Sequence, residues 1–358
     1  MTNIKKIGLT ALAGSLVAAS ATAGEIAVTG SANVTYVTGK DAATGKAIGT
    51  DKDVAFTGSG ELDNGWTFTV STLLTDAMTV SSSYTSITMG SLGTVTFGAD
   101  TGGASYKYDE EVPQAYEQTS DAQQNSSNIV GNQNDSNMIV YNSPSFDLGG
   151  VSASIDLEYS PNTASTSSPA NDGGSGGNSD DFGSATGAGV TLGYDALKVG
   201  VYAAEVERTT PAVANTDATR DMFEGVWYAS YSFGPVAIGY SESYLDSGAA
   251  VAAEAITAAK AVRTAGGIFE GQSMSIAFNV NDNLSLSYTT TEDTYNAQSN
   301  VKGGTEIADV TQETDAIQLA YSMGGMSIKA YSMDTSNPGY DDDAADKTAT
   351  EIALGLAF

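Results

Sequence analysis

From Gly24 onward, apolar residues recur at every second position, the period of a strand with two unlike faces. "VSASIDLEY" sets Val151, Ala153, Ile155, Leu157 and Tyr159 against Ser152, Ser154, Asp156 and Glu158. "SMSIAFNV" sets Met274, Ile276, Phe278 and Val280 against Ser273, Ser275, Ala277 and Asn279. The last segment, "EIALGLAF", does the same with Ile352, Leu354, Leu356 and Phe358. Read this way, the chain holds sixteen strand segments. They lie at about 25–36, 52–62, 66–75, 84–90, 94–98, 137–144, 151–159 and 187–194, then at 198–207, 222–233, 236–245, 272–280, 284–292, 315–323, 326–333 and 348–358.

The connections alternate too. Short ones carry turn chemistry: Asp63-Asn64-Gly65, Ser91-Leu92-Gly93, Asp195-Ala196-Leu197, Gly234-Pro235, Asn281-Asp282-Asn283 and Gly324-Gly325. Long polar ones fall between them, near 37–51, 99–136, 160–186, 208–221, 246–271, 293–314 and 334–347, with a shorter one near 76–83. An even number of meandering strands, with short turns at one end and long loops at the other, predicts an all-β, sixteen-stranded antiparallel transmembrane barrel. Most segments approach the ~9–11 residues that a tilted strand needs to cross a bilayer. A secreted sandwich would also alternate, but it does not sort its loops by length to one end, and it leaves sheet edges that closure removes. Tyr36, Tyr84, Tyr159, Tyr194, Tyr240, Tyr244, Tyr288 and Phe358 lie near segment ends, with Trp66 beside a turn, as rings at the headgroup level would.

The N-terminus departs from this pattern. Lys5 and Lys6 precede the apolar run from Ile7, and Ala21-Thr22-Ala23 follows it, which predicts a signal peptide over residues 1–23 and a barrel over 24–358. Composition then narrows the chemistry. The 358 residues include no cysteine and no histidine, which excludes thiolate nucleophiles, disulfides, imidazole bases and HExxH zinc sites. A carboxylate-only mechanism remains open, but with 43 acids against 14 basic residues most acids read as solvated charge, and no enzyme is expected. A net charge of −29 also argues against a nucleic-acid partner.

The tract "GEIAVTGSANVTY", the ending "IALGLAF", the loop alternation and the terminal phenylalanine together resemble the general porin family of Gram-negative bacteria, in its alphaproteobacterial type. The resemblance implies an outer-membrane homotrimer surrounded by lipid. Each subunit would enclose a water-filled pore for passive diffusion of small hydrophilic solutes, narrowed by an inward-folded third loop. It also implies that Phe358 signals to the outer-membrane assembly machinery.

A sixteen-stranded barrel is too wide for side chains to fill, so inward polar positions meet water. Asp156, Glu158 and Lys329, with Gln318 and Asn279, are the expected pore wall. The candidate constriction, 99–136, carries Asp100, Asp109, Glu110, Glu111, Glu117 and Asp121 against Lys107, which predicts cation preference. Such porins commonly set arginines opposite the acidic loop; here Arg208, Arg220 and Arg263 all fall at or in long loops, while Lys52 and Lys198 read as lying near strand ends. No cofactor is expected. Asp341, Asp342 and Asp343, and the group Asp172, Asp180 and Asp181, are weak calcium candidates without EF-hand spacing. The Ala-rich stretch 249–265 reads as a short loop helix. The alternative from another class is a non-conducting barrel or secreted β-protein acting as an adhesin or structural surface protein.

Overall fold

A computed structural model describes residues 25–39, 47–99, 103–109, 111–119, 138–161, 182–208, 221–248, 267–296 and 308–358. The strands are β1 (Glu25–Thr38), β2 (Ala47–Glu61), β3 (Thr67–Leu74), β4 (Val80–Thr88), β5 (Thr94–Ala99) and β6, which runs in two pieces, Met138–Asn142 and Phe146–Asp147. After them come β7 (Ser152–Ser160), β8 (Phe182–Tyr194), β9 (Leu197–Arg208), β10 (Met222–Phe233) and β11 (Val236–Asp246). The last five are β12 (Ile268–Asn279), β13 (Leu284–Asn296), β14 (Val310–Met323), β15 (Met326–Ser336) and β16 (Lys347–Ala357). Both pieces of β6 pair with β7, so they make one pass. The break falls at Pro144, which has no N–H to give to a ladder.

Each strand pairs antiparallel with its neighbours, and β16 returns to β1 from Ser31↔Ala357 to Thr38↔Thr350. The result is a closed sixteen-stranded antiparallel barrel. Closure satisfies every ladder, as a hydrocarbon surround demands. The tight turns follow their sequence chemistry: Gly65, Gly93, Asp195, Gly234 and Gly324 all take positive φ.

The barrel is inside-out relative to a soluble protein. Ile352, Leu354, Leu356 and Phe358 point outward and are 37–74% exposed, whereas Glu351 before them and Ala353 between them are 3% and 5% exposed. Tyr36, Tyr159, Tyr194 and Tyr288 point outward as well, and Trp227 and Tyr240 meet in a tilted ring contact at 5.4 Å on the same face. Tyr84 does not. It pairs with Ser71, whose hydroxyl bonds inward-facing Thr57, so Tyr84 faces the lumen. Proximity to a strand end was a poor guide there, because face depends on parity rather than on distance from the turn.

Observed strands run up to five residues further into the long-loop side than alternation indicates; β13 reaches Asn296 and β14 starts at Val310. Beyond the bilayer both faces of a strand meet water, so the two-residue period disappears while the ladder continues. For the same reason Lys52 is not at a strand end but within β2, paired with Ala32.

The seam is tightened at its lower edge. Gly30 and Phe358 exchange both backbone bonds, at 2.8 and 3.0 Å, and the Phe358 ring lies where a Cβ on Gly30 would stand. A Gly30→Val substitution is expected to displace this ring and cost about 1–3 kcal/mol, as overpacking does. Urea titration of the folded, heat-modifiable band on SDS gels would read that loss; an unchanged midpoint would contradict the seating.

Candidate functional site: the loop inside the lumen

The long connection after β5 does not stay at the rim. Its described residues, 103–109 and 111–119, lie against inward-facing side chains of the wall and are fastened at two places. At the first, the peptide N–H of Ala104 donates to Glu158 Oε2 at 2.5 Å. Lys107 Nζ donates to Asp156 Oδ1 at 2.6 Å and the Tyr108 hydroxyl to Asp156 Oδ2 at 2.8 Å. Asn142 Nδ2 completes the Asp156 site at 2.6 Å, and the Tyr202 hydroxyl donates a short bond to Glu158. Both carboxylates are at most 4% exposed, so each is buried with charge-assisted donors around it.

Packing supports the same anchor. Ala104 and Tyr108 are fully buried against Met138, Val140, Tyr202, Ala204, Val226 and Tyr228. Tyr108 stacks on Tyr202 at 5.4 Å, and its ring fills the space that a Cβ on Gly189 of β8 would take. Gly239 of β11 likewise makes room for Val112 and Pro113. Between these seats Lys198 Nζ reaches Glu111 Oε2 at 2.8 Å and sits 4.9 Å above the Tyr228 ring.

The second anchor lies on β13 to β16. Ala115 N–H donates to Ser287 Oγ at 2.9 Å, and Tyr116 N–H donates to Gln318 Oε1 at 2.7 Å. Gln318 Nε2 returns a bond to the Glu117 carbonyl at 2.7 Å, and the Tyr116 hydroxyl donates to Glu351 Oε1 at 2.6 Å. The Tyr116 ring packs on Tyr331, with Lys329 Nζ 5.1 Å from its centroid. Burial first, and for Tyr116 then the Glu117 and Glu351 charges, pushes both loop phenols well above the ordinary tyrosine range. They therefore remain protonated donors at neutral pH.

Asp156 and Glu158 thus stand on the inward face of β7 but are engaged with the loop, and Lys329 stands on β15 beside Tyr116. Of the loop acids, Asp109, Glu111 and Glu117 are partly buried, whereas Asp100, Glu110 and Asp121 lie outside the described residues. So do residues 1–23, Asp172, Asp180, Asp181, Arg220, Arg263 and the Ala-rich stretch. Arg208 ends β9 and donates from Nη2 to the Ser247 carbonyl at 2.7 Å. Asp341, Asp342 and Asp343 bring carboxylate oxygens within 4.8 Å of one another, a spacing common among exposed acids without any ion.

Tyr108 and Tyr116 have no mark in the sequence pattern, because the loop has no period, and Lys198 reads there only as a residue near a strand end, as it is. Lys198 also occupies an inward parity position in β9.

No helix among the described residues is long and apolar enough to cross a membrane. A search of curated protein sequences found no match. Among solved structures, OmpF of Salmonella typhi in complex with daunomycin is similar at TM-score 0.64 and 12% identity, covering 94% of this chain and 98% of that one. A porin structure refined at 1.8 Å resolution is similar at TM-score 0.60 and 14% identity, covering 93% of this chain and 100% of the other. A trimer form of OmpT from Vibrio cholerae is similar at TM-score 0.58 and 13% identity, covering 94% and 100%. Identities this low speak for the fold alone. A family model described as Gram-negative porin matches residues 8–358, nearly the whole chain. With that match over a closed barrel, the chain belongs to the Gram-negative porin family, and it is an outer-membrane channel protein rather than an enzyme.

Proposed function

We propose that this porin passes small hydrophilic solutes with a preference for cations, and that residues 99–136 set the narrowest part of its pore. The supporting observation is the balance of charge around the inner loop. Asp156, Glu158, Glu224 and Glu351 face inward on the wall beside Asp109, Glu111 and Glu117 of the loop, and they outnumber Lys107, Lys198 and Lys329. On β2, Asp51 and Asp53 share the inward face with Ser31 and Asn33. The inner faces of β1 to β5, against which none of the described loop contacts falls, carry such groups as Asn33, Asp51, Asp53, Ser71 and Thr96. Rings of charged side chains lining a pore are what select ions.

The finer readings follow the resemblance. Residues 1–23 act as an export signal, three copies assemble in the membrane, Phe358 serves the assembly machinery, and the chain is of the alphaproteobacterial type. Purified protein in a planar bilayer under a KCl gradient tests the central reading. Stepwise open-pore currents with a reversal potential toward the K⁺ equilibrium value are expected. Absence of current would reject the channel, and an anion-directed reversal would reject the cation preference.

A further inference from the structure

A second segment also folds over the lumen, at its outer mouth. Residues 337–346, joining β15 to β16, reach across the inner faces of three strands. Asn337 Nδ2 donates to the Thr311 carbonyl at 2.8 Å, and Gly339 N–H donates to Gln312 Oε1, an inward residue of β14, at 2.8 Å. The Tyr340 hydroxyl donates to Asp293, inward on β13. The Tyr340 ring, 2% exposed, lies 5.5 Å from Tyr295 on β13 and 5.6 Å from Phe269 on β12. These rings belong to one buried cluster with Ala185, Val206, Met222 and Leu245, which lie on four further strands.

The backbone is held in an uncommon shape to do this. Asn337 and Tyr340 have φ of 46° and 58°, a left-handed conformation that costs non-glycine residues on the order of 1 kcal/mol or more and persists only where surrounding contacts impose it. Here the tilted ring contacts of Tyr340 with Phe269 and Tyr295 and the Asp293 and Gln312 bonds impose it. Asp341, Asp342 and Asp343 follow directly; Asp342 and Asp343 are exposed, and Asp341 is partly so.

The two inward segments occupy different depths on the same side. On β14 the inner loop binds Gln318 and the outer strap binds Gln312; on β13 they bind Ser287 and Asp293. Six residues along a strand are roughly 20 Å, or about 15 Å along the pore axis at the usual strand tilt.

We propose that residues 337–346 form a second constriction, an outer filter pinned by Tyr340, which cations and small polar solutes cross before reaching the inner loop. The inference rests on the channel reading above. It makes Tyr340, Gln312 and Asp293 positioning residues for permeation, and Asp341, Asp342 and Asp343 the charge that incoming ions meet first.

Two variants test it in planar bilayers and in liposome-swelling assays. One replaces residues 338–345 with Gly-Gly-Ser; the other is Tyr340→Ala, which leaves every strand intact and keeps the test decisive if the shortened chain does not assemble. Single-channel conductance should rise roughly 1.5-fold or more in the shortened chain and less in Tyr340→Ala, as expected when a series resistance is widened. Swelling with a trisaccharide should rise relative to swelling with a monosaccharide. Parental conductance and parental swelling ratio in the assembled variants would overturn the outer filter while leaving the porin reading intact. Absence of current in the parent protein would sink the channel reading and this inference together.

Discussion

Replacing Asp156 with Asn and Glu158 with Gln together should turn a quiet pore into a noisy one. Asp156 accepts from Lys107, Tyr108 and Asn142, and Glu158 accepts from the Ala104 peptide and Tyr202. Charge-assisted bonds to buried carboxylates contribute about 1.5–3 kcal/mol each, and an amide in either place would turn an NH₂ group toward existing donors. The first anchor of the loop would then be lost, while the second, at Gln318 and Glu351, would remain. A loop held at one end samples several positions. Open-channel recordings should therefore show excess noise and several conductance levels, with a mean above that of the parent. The ladders of β7 do not involve these side chains, so the barrel should still migrate as a folded band. A single steady level at the parental conductance would show that the carboxylates do not hold the loop.

The second large effect concerns ion preference. Neutralising Glu110, Glu111 and Glu117 to Gln should lower the K⁺ over Cl⁻ permeability ratio by about threefold. One charge acts on an ion 5 Å away with about 0.8 kcal/mol in water, and salt screens it beyond ~10 Å, so only groups beside the passage matter. Removing Glu111 also releases Lys198, now paired with it at 2.8 Å, and removing Glu117 takes an acid from beside Lys329. The Glu111 and Glu117 changes therefore each subtract a negative charge and uncover a positive one. Glu205→Gln is the control, because Glu205 lies on the outward face of β9 between exposed positions. Reversal potentials in a KCl gradient read both. An unchanged ratio in the triple variant would move the filter away from the inner loop, toward Asp51 and Asp53 or the outer strap.

The strands themselves were legible from the chain. Alternation in β7, β12 and β16 marks lipid-facing positions because hydrocarbon and water impose opposite demands on successive residues. The turns were legible too, since Gly65, Gly234 and Gly324 adopt the positive φ that tight hairpins require. Strand ends on the outer side were not, because above the bilayer both faces meet water and the pattern no longer carries information. Lys52 lies within β2 for that reason, while Tyr84 faces the lumen because register, not proximity to a strand end, decides the face.

The inner loop divides along the same line. Its position in strand order and its acidity are visible in the chain, and Asp156, Glu158 and Lys329 occupy the polar-parity positions of β7 and β15. That Asp156 and Glu158 are engaged as anchors could not be read, because their partners lie 48 to 54 residues away, in a segment without a period. Tyr108 and Tyr116 find their seats only when wall residues from different strands converge. By itself, then, the sequence determined a closed, lipid-facing barrel with a polar lumen, because each strand's choice of face is local and repeats every two residues. Only the tertiary structure decided which inward groups stay free for solute and which are spent on holding the inner loop and the outer strap. That choice depends on contacts between distant segments, which no local pattern encodes.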